Sequence, residues 1–180
     1  ALPELDVVHC HGPATTGLLG KQYARKHDLM SVYTHHTPVE DYLIGTNPRG
    51  VSVGDLDGDG KNDLVVAKSL SRSISILQNI TSEVDPSFAI KTDISIGSTP
   101  YAISIIDVDG DSKLDIIVST SASFVSVIKN TSSEGRLSFE AKKDFSVVGN
   151  SYGIAAGDLN GDGKMDLAIT NSSSGSISVL

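Results

Sequence analysis

Apolar residues recur at every second position in short runs, and the runs themselves recur. Val51 and Val53, Ile103 and Ile105, and Ile154 and Ala156 mark three alternating stretches. Each leads through a polar loop into a short apolar run: Leu64–Ala67, Ile116–Val118 and Leu167–Ile169. A further alternating stretch follows, at Ser73–Leu77, Ser123–Ile128 and Ser176–Leu180. Period-two patterning with Gly, Ser and Asn between the runs predicts antiparallel strands. A fourth strand is expected near Phe88–Thr92 and again near Leu137–Lys142.

The loop between the first and second strands is the same acidic nonapeptide each time: DLDGDGKND, DVDGDSKLD and DLNGDGKMD. Oxygen side chains stand at positions 1, 3, 5 and 9. They are Asp55, Asp57, Asp59 and Asp63, then Asp107, Asp109, Asp111 and Asp115, then Asp158, Asn160, Asp162 and Asp166. Carboxylates this close repel one another unless a cation lies among them. Hard oxygen donors on a flexible loop select calcium over zinc or copper. The backbone carbonyl at position 7 (Lys61, Lys113, Lys164) is the expected additional ligand. Glycine at positions 4 and 6 suits a tight loop, but Ser112 stands at position 6 of the second. An EF-hand would need a Glu at position 12, where this chain has Val66, Val118 and Ile169. The last side-chain ligand instead falls directly before an apolar strand, so the loop joins two strands. Asn160 leaves the third loop one negative charge short, and its affinity is expected to be the lowest.

The first aspartates of the loops lie 52 and 51 residues apart. Four short strands in a repeat of this length describe a β-propeller blade. The expected fold is therefore mainly β, a partial propeller of about three four-stranded blades with the third incomplete. The blades span 44–95, 96–147 and 148–180. Propellers close with four to eight blades, so completion by more chain or by self-association is expected.

Residues 44–180 resemble FG-GAP/VCBS repeats, the calcium-loop blades of integrin-α-like propellers. The likeness rests on the Gly-(Thr/Ser)-x-Pro lead at 45–48 and 97–100, the Asp-x-(Asp/Asn)-Gly-Asp-x-x-x-Asp loop and the Ser-Ile-Ser-Ile-Leu strand at 73–77. It implies up to three Ca²⁺ sites that hold the blade hairpins. It also implies an extracellular or cell-surface binding or adhesion module without catalysis, with a protein or glycan partner on a propeller face.

Residues 1–43 do not share the repeat. A strand is predicted at Leu5–Cys10, a helix at Thr15–His27 and a second strand at Met30–Thr34. Thr37-Pro38-Val39-Glu40 then has the form of a capping box. This β-α-β unit resembles the N-terminal domain of family 4 glycosyltransferases of the GT-B fold. The matching stretches are DVVHCHGP (Asp6–Pro13), GLLGKQYARK (Gly17–Lys26) and VYTHHTPVEDY (Val32–Tyr42). The resemblance would place His36 near a catalytic centre. The donor-binding domain of such enzymes has no counterpart here, so no enzyme activity is expected. The alternatives to a binding module are a remnant of such a transferase or a composite of two unrelated pieces.

Charge sharpens the metal reading. The chain carries a formal net charge of −8, of which −6 falls in residues 45–180. Eleven of the 17 acidic residues there are loop aspartates, so three bound Ca²⁺ would bring that part close to neutral. Without a basic cluster, nucleic-acid binding is not expected. No stretch is long and apolar enough to span a membrane as a helix. Asn79, Asn130 and Asn171 begin formal glycosylation sequons of little weight.

Overall fold

The computed structural model describes residues 7–11, 30–34, 47–82, 87–89 and 92–180. The chain divides into two compact units, Ala1–Leu43 and Ile44–Leu180. In the first, β1 (Val7–His11) and β2 (Met30–Thr34) pair in parallel, with His9 opposite Val32. The helix expected at Thr15–His27, the capping box at Thr37–Glu40 and His36 lie outside the described residues.

The second unit is three antiparallel sheets in sequence, and its described residues contain no helix. The first sheet runs β3 (Pro48–Gly54), β4 (Asp63–Lys68), β5 (Ser73–Leu77) and β6 (Thr92–Ser95). The second runs β7 (Pro100–Ile106), β8 (Asp115–Thr120), β9 (Phe124–Ile128) and β10 (Lys143–Ser146). The third has β11 (Ser151–Gly157), β12 (Asp166–Asn171) and β13 (Ser176–Val179). Each is an up-and-down meander. The first strands lie side by side, β3 against β7 and β7 against β11. This is the arrangement of a partial propeller, with β3, β7 and β11 as inner strands.

The alternation seen in the sequence assigns each face of a sheet to one neighbour. Every residue of β8 is buried. Ile116 and Val118 join Val65, Ile74 and Ile76 of the first sheet in one apolar core. Ile117 turns the other way and joins Leu167 and Ile169 of the third sheet in a second core. Burying an aliphatic side chain this fully contributes about 1.5–3 kcal/mol, so the inter-sheet contacts dominate cohesion. On the far face of the third sheet, Ile177 and Val179 are 67% and 60% exposed. Their counterparts Ile74, Ile76 and Val125 are at most 1% exposed, because the next sheet covers them.

The fourth strands form later than the alternation suggested. Phe88 and Phe139 make single bridges to Asn79 and Asn130, and the regular strands begin only at Thr92 and Lys143. In each hairpin the register of the bridge differs by one residue from that of the strand pair beyond it. A one-residue slip breaks a ladder into two pieces, and sequence alternation does not reveal where it falls. Cross-strand pairs then anchor the outer strands: Ser75 donates to Asp93 at 2.5 Å and Ser126 to Asp144 at 2.6 Å.

The inner strands approach so closely that side-chain volume becomes limiting. A Cβ at Gly50 would stand 2.6 Å from the Tyr101 carbonyl oxygen, and one at Gly54 would stand 2.9 Å from Ile105 Cγ2. Gly50→Ala must push β3 away from β7. It is expected to lower stability by about 1–3 kcal/mol, read as a lower urea midpoint of the 44–180 unit.

Candidate metal centre

Each acidic loop leaves an inner strand and enters the second strand of its sheet. Its fold is set by carboxylates that accept backbone N–H groups. Asp55 takes the N–H of Gly58 at 2.8 Å and of Gly60 at 2.9 Å. Asp107 takes those of Gly110 and Ser112, both at 2.8 Å. Asp158 takes those of Gly161 at 2.6 Å and Gly163 at 2.8 Å. This wrap requires positive φ at positions 4 and 6, and glycine supplies it with one exception. Ser112 sits at φ 67°. Ser112→Gly is expected to stabilise the protein by about 0.5–1 kcal/mol, less than the intrinsic cost of the left-handed region because glycine also frees the unfolded chain. Thermal unfolding of the chelated protein measures it.

Position 9 works differently. Asp63 begins β4 and is fully buried. Its two oxygens accept the Leu56 N–H at 2.9 Å and the Asn79 N–H at 2.7 Å. Asp115 does the same with Val108 at 3.2 Å and Asn130 at 2.8 Å, and Asp166 accepts Leu159 N–H at 2.9 Å. Burial pushes the Asp63 and Asp115 carboxyls above the ordinary 3.8. Two N–H donors each pull the other way, while neighbouring aspartates add to the rise. A cation among these groups would relieve both the burial penalty and the repulsion.

Side-chain oxygens of Asp55, Asp57 and Asp63 gather within 4.8 Å of one another, as do those of Asp107, Asp109 and Asp115. Positions 1, 3 and 9 are thus brought together in two loops. Position 5 stands outside both groups. Asp59 instead accepts the Lys61 N–H at 2.9 Å and faces the Lys61 ammonium at 3.2 Å, and Asp111 accepts the Lys113 N–H at 2.9 Å. The third loop follows the same hydrogen-bond pattern. Asn160 replaces a carboxylate at its position 3 and accepts the Asp162 N–H at 2.9 Å, while Asp162 accepts the Lys164 N–H at 2.9 Å.

A protein-family model for the FG-GAP-like repeat matches residues 55–118 and 107–169, together more than half of the chain. The chain belongs to the FG-GAP-like repeat family. Each match runs from the first aspartate of one loop to the strand after the next, so the family unit straddles two sheets. No curated protein matches the chain significantly.

Sequence reasoning missed the residues that follow the third strand of each FG-GAP-like repeat. Gln78 Nε2 donates to Asp57 at 2.6 Å. At the corresponding place in the next repeat, the Lys129 ammonium pairs with Asp109 and lies 3.4 Å from Asp111. Asn130 Nδ2 donates to the Leu56 carbonyl in the first loop at 2.7 Å and to Leu114 at 2.8 Å. The signal was present: Gln78-Asn79 and Lys129-Asn130 each follow an alternating strand directly. The same geometry gives the sequons a structural meaning. Asn130 and Asn171 are each 1% exposed and their amides donate within the fold.

Proposed function

We propose that this chain is a calcium-stabilised segment of a β-propeller that serves as a non-catalytic binding or adhesion module outside the cell. The gathering of carboxylate oxygens at positions 1, 3 and 9 carries this reading. Ca²⁺ takes oxygen ligands at 2.3–2.6 Å, so two donors on opposite sides of one ion stand about 5 Å apart. Groups within 4.8 Å fit that span. In the third loop Asp158, Asn160 and Asp166 would take the same roles. Asp59, Asp111 and Asp162, with the carbonyls of Lys61, Lys113 and Lys164, would complete the three shells. When bound, calcium supplies charge that holds each loop closed. Modules of modest affinity need the near-millimolar calcium found outside cells, which supports an extracellular or cell-surface setting.

Addition of millimolar Ca²⁺ is expected to raise the melting temperature by several degrees, and chelator to reverse it. Each site filled at a hundred times its Kd contributes about 2.7 kcal/mol. A melting temperature that ignores calcium would sink the reading.

The partner surface lies at the other end of the inner strands. Arg49, Tyr101 and Tyr152 occupy equivalent places on β3, β7 and β11. The Arg49 guanidinium lies 5.4 Å from the Tyr101 ring centre, and the two tyrosine rings are 4.8 Å apart. With Asn47, Pro48, Ala102 and Gly153 they line a groove of about 580 Å³, suited to stacking on a glycan or a protein side chain. Tyr152→Ala is expected to abolish glycan-array or pull-down binding while leaving the calcium response intact. Loss of the calcium response in this variant would contradict a separate partner surface. We also assign the exposed Ile177–Val179 face to a further repeat, from more chain or a second copy. Sedimentation velocity of this chain distinguishes these by whether dimers form.

A further inference from the structure

The two best-formed acidic loops differ in one residue that neither contains. The last residue before the asparagine that the first two repeats share is Gln78 in the first and Lys129 in the second. Both reach the position-3 carboxylate of their own loop. Gln78 Nε2 meets Asp57 Oδ2 at 2.6 Å and also donates to the Gly135 carbonyl at 3.0 Å. Lys129 Nζ meets Asp109 Oδ2 and stands 3.4 Å from Asp111 Oδ2. The amide brings no charge to Asp57, and the Lys61 ammonium of the first loop faces Asp59 at position 5 rather than the position-3 carboxylate. The ammonium cancels one charge of the second and points at two of its proposed ligands.

We infer that Lys129 is a built-in competitor for calcium, which makes the second loop a weaker calcium site than the first and holds it folded when calcium is scarce. The inference rests on the calcium reading above. It departs from an order set by loop residues alone, in which only the Asn160 loop is weakened. With Lys129 counted, the second loop carries the same net charge as the third.

Geometry supports it. The Asp109 carboxylate accepts a hydrogen bond from the Lys129 ammonium, and the Asp111 carboxylate lies within ion-pair distance of the same nitrogen. The competitor is also tethered, because Lys129 follows β9 directly and Asn130, next in the chain, is fixed by the Asp115 carboxylate at 2.8 Å. A tethered cation acts at high effective concentration, and calcium must displace it or bind beside it.

The test follows each loop separately by NMR. The amides of Gly58 and Gly110 donate to Asp55 and Asp107, so each reports calcium filling its own loop. In the wild-type chain, Gly58 is expected to shift at lower calcium than Gly110. Lys129→Gln, which installs the residue of the first repeat, is expected to lower the Gly110 midpoint on the order of tenfold, from the repulsion between a divalent and a monovalent cation a few ångströms apart. The Gly58 midpoint should stay unchanged. The reciprocal Gln78→Lys should raise the Gly58 midpoint and leave Gly110 where it was. Equal midpoints in the wild type with no change in Lys129→Gln would overturn this inference while leaving calcium binding intact. No response of either glycine to calcium would overturn the calcium reading and this inference with it.

Discussion

A buried carboxylate at the head of the second strand ties each of the first two acidic loops to its sheet. Asp63 and Asp115 each accept one N–H from the loop and one from the second residue after the third strand. Three chain segments therefore meet at one ionisable group. Burying that group is costly, and the cost is met only partly by its two donors. The remainder falls on whatever positive charge enters the loop. The fold and the proposed metal chemistry are thus one problem, because the group that fixes the hairpin is also the group that asks for a cation.

Packing between sheets depends on this anchor through the inner strands. Each loop sets where its inner strand ends and its second strand begins, and so fixes which residues of the second strand face each neighbour. A one-residue slip would turn Ile117 into the first core and Ile116 and Val118 into the second. The close approach at Gly50 and Gly54 leaves little room for such an error. Asn130 adds a direct link, since one amide spans the carbonyls of Leu56 and Leu114 in successive loops. A disturbance in one loop is therefore felt at the neighbouring repeat.

Much of this was legible in the sequence, for identifiable reasons. Period-two alternation located the first three strands of each repeat because one-sided burial writes itself into alternate residues. The gathering of the carboxylates at positions 1, 3 and 9 of the first two loops was legible because alternate positions of a tight loop turn inward together. The outer strands were misplaced because a register slip near Asn79 and Asn130 leaves no mark in the pattern. Gln78 and Lys129 belong to no motif in the sequence. Their role arises from the return of the third strand past its own loop, a proximity that spacing along the chain does not encode. Lys68, at the end of β4, is another such case, since it is buried and pairs with Asp93 at 2.8 Å. In residues 1–43, Val7–His11 pairs in parallel with Met30–Thr34, and the helix that a β-α-β unit needs between them lies outside the described residues.

The geometry of the inner strands separates the proposed metal sites from the proposed partner groove. Arg49, Tyr101 and Tyr152 stand near the start of strands whose far ends lead into the loops. Six residues of extended chain separate Arg49 from Asp55, which at about 3.3 Å per residue is on the order of 20 Å. At physiological ionic strength the Debye length is about 8 Å, so the exposed parts of the acidic loops exert little field on the groove. A ligand in the groove would meet an arginine and two aromatic faces rather than the negative charge that dominates the composition. Charge state at the loops then bears on the groove chiefly through the rigidity of the strands that connect them. That is the mechanical role expected of a structural ion, and it is how so acidic a chain could keep the proposed partner surface free of acidic charge.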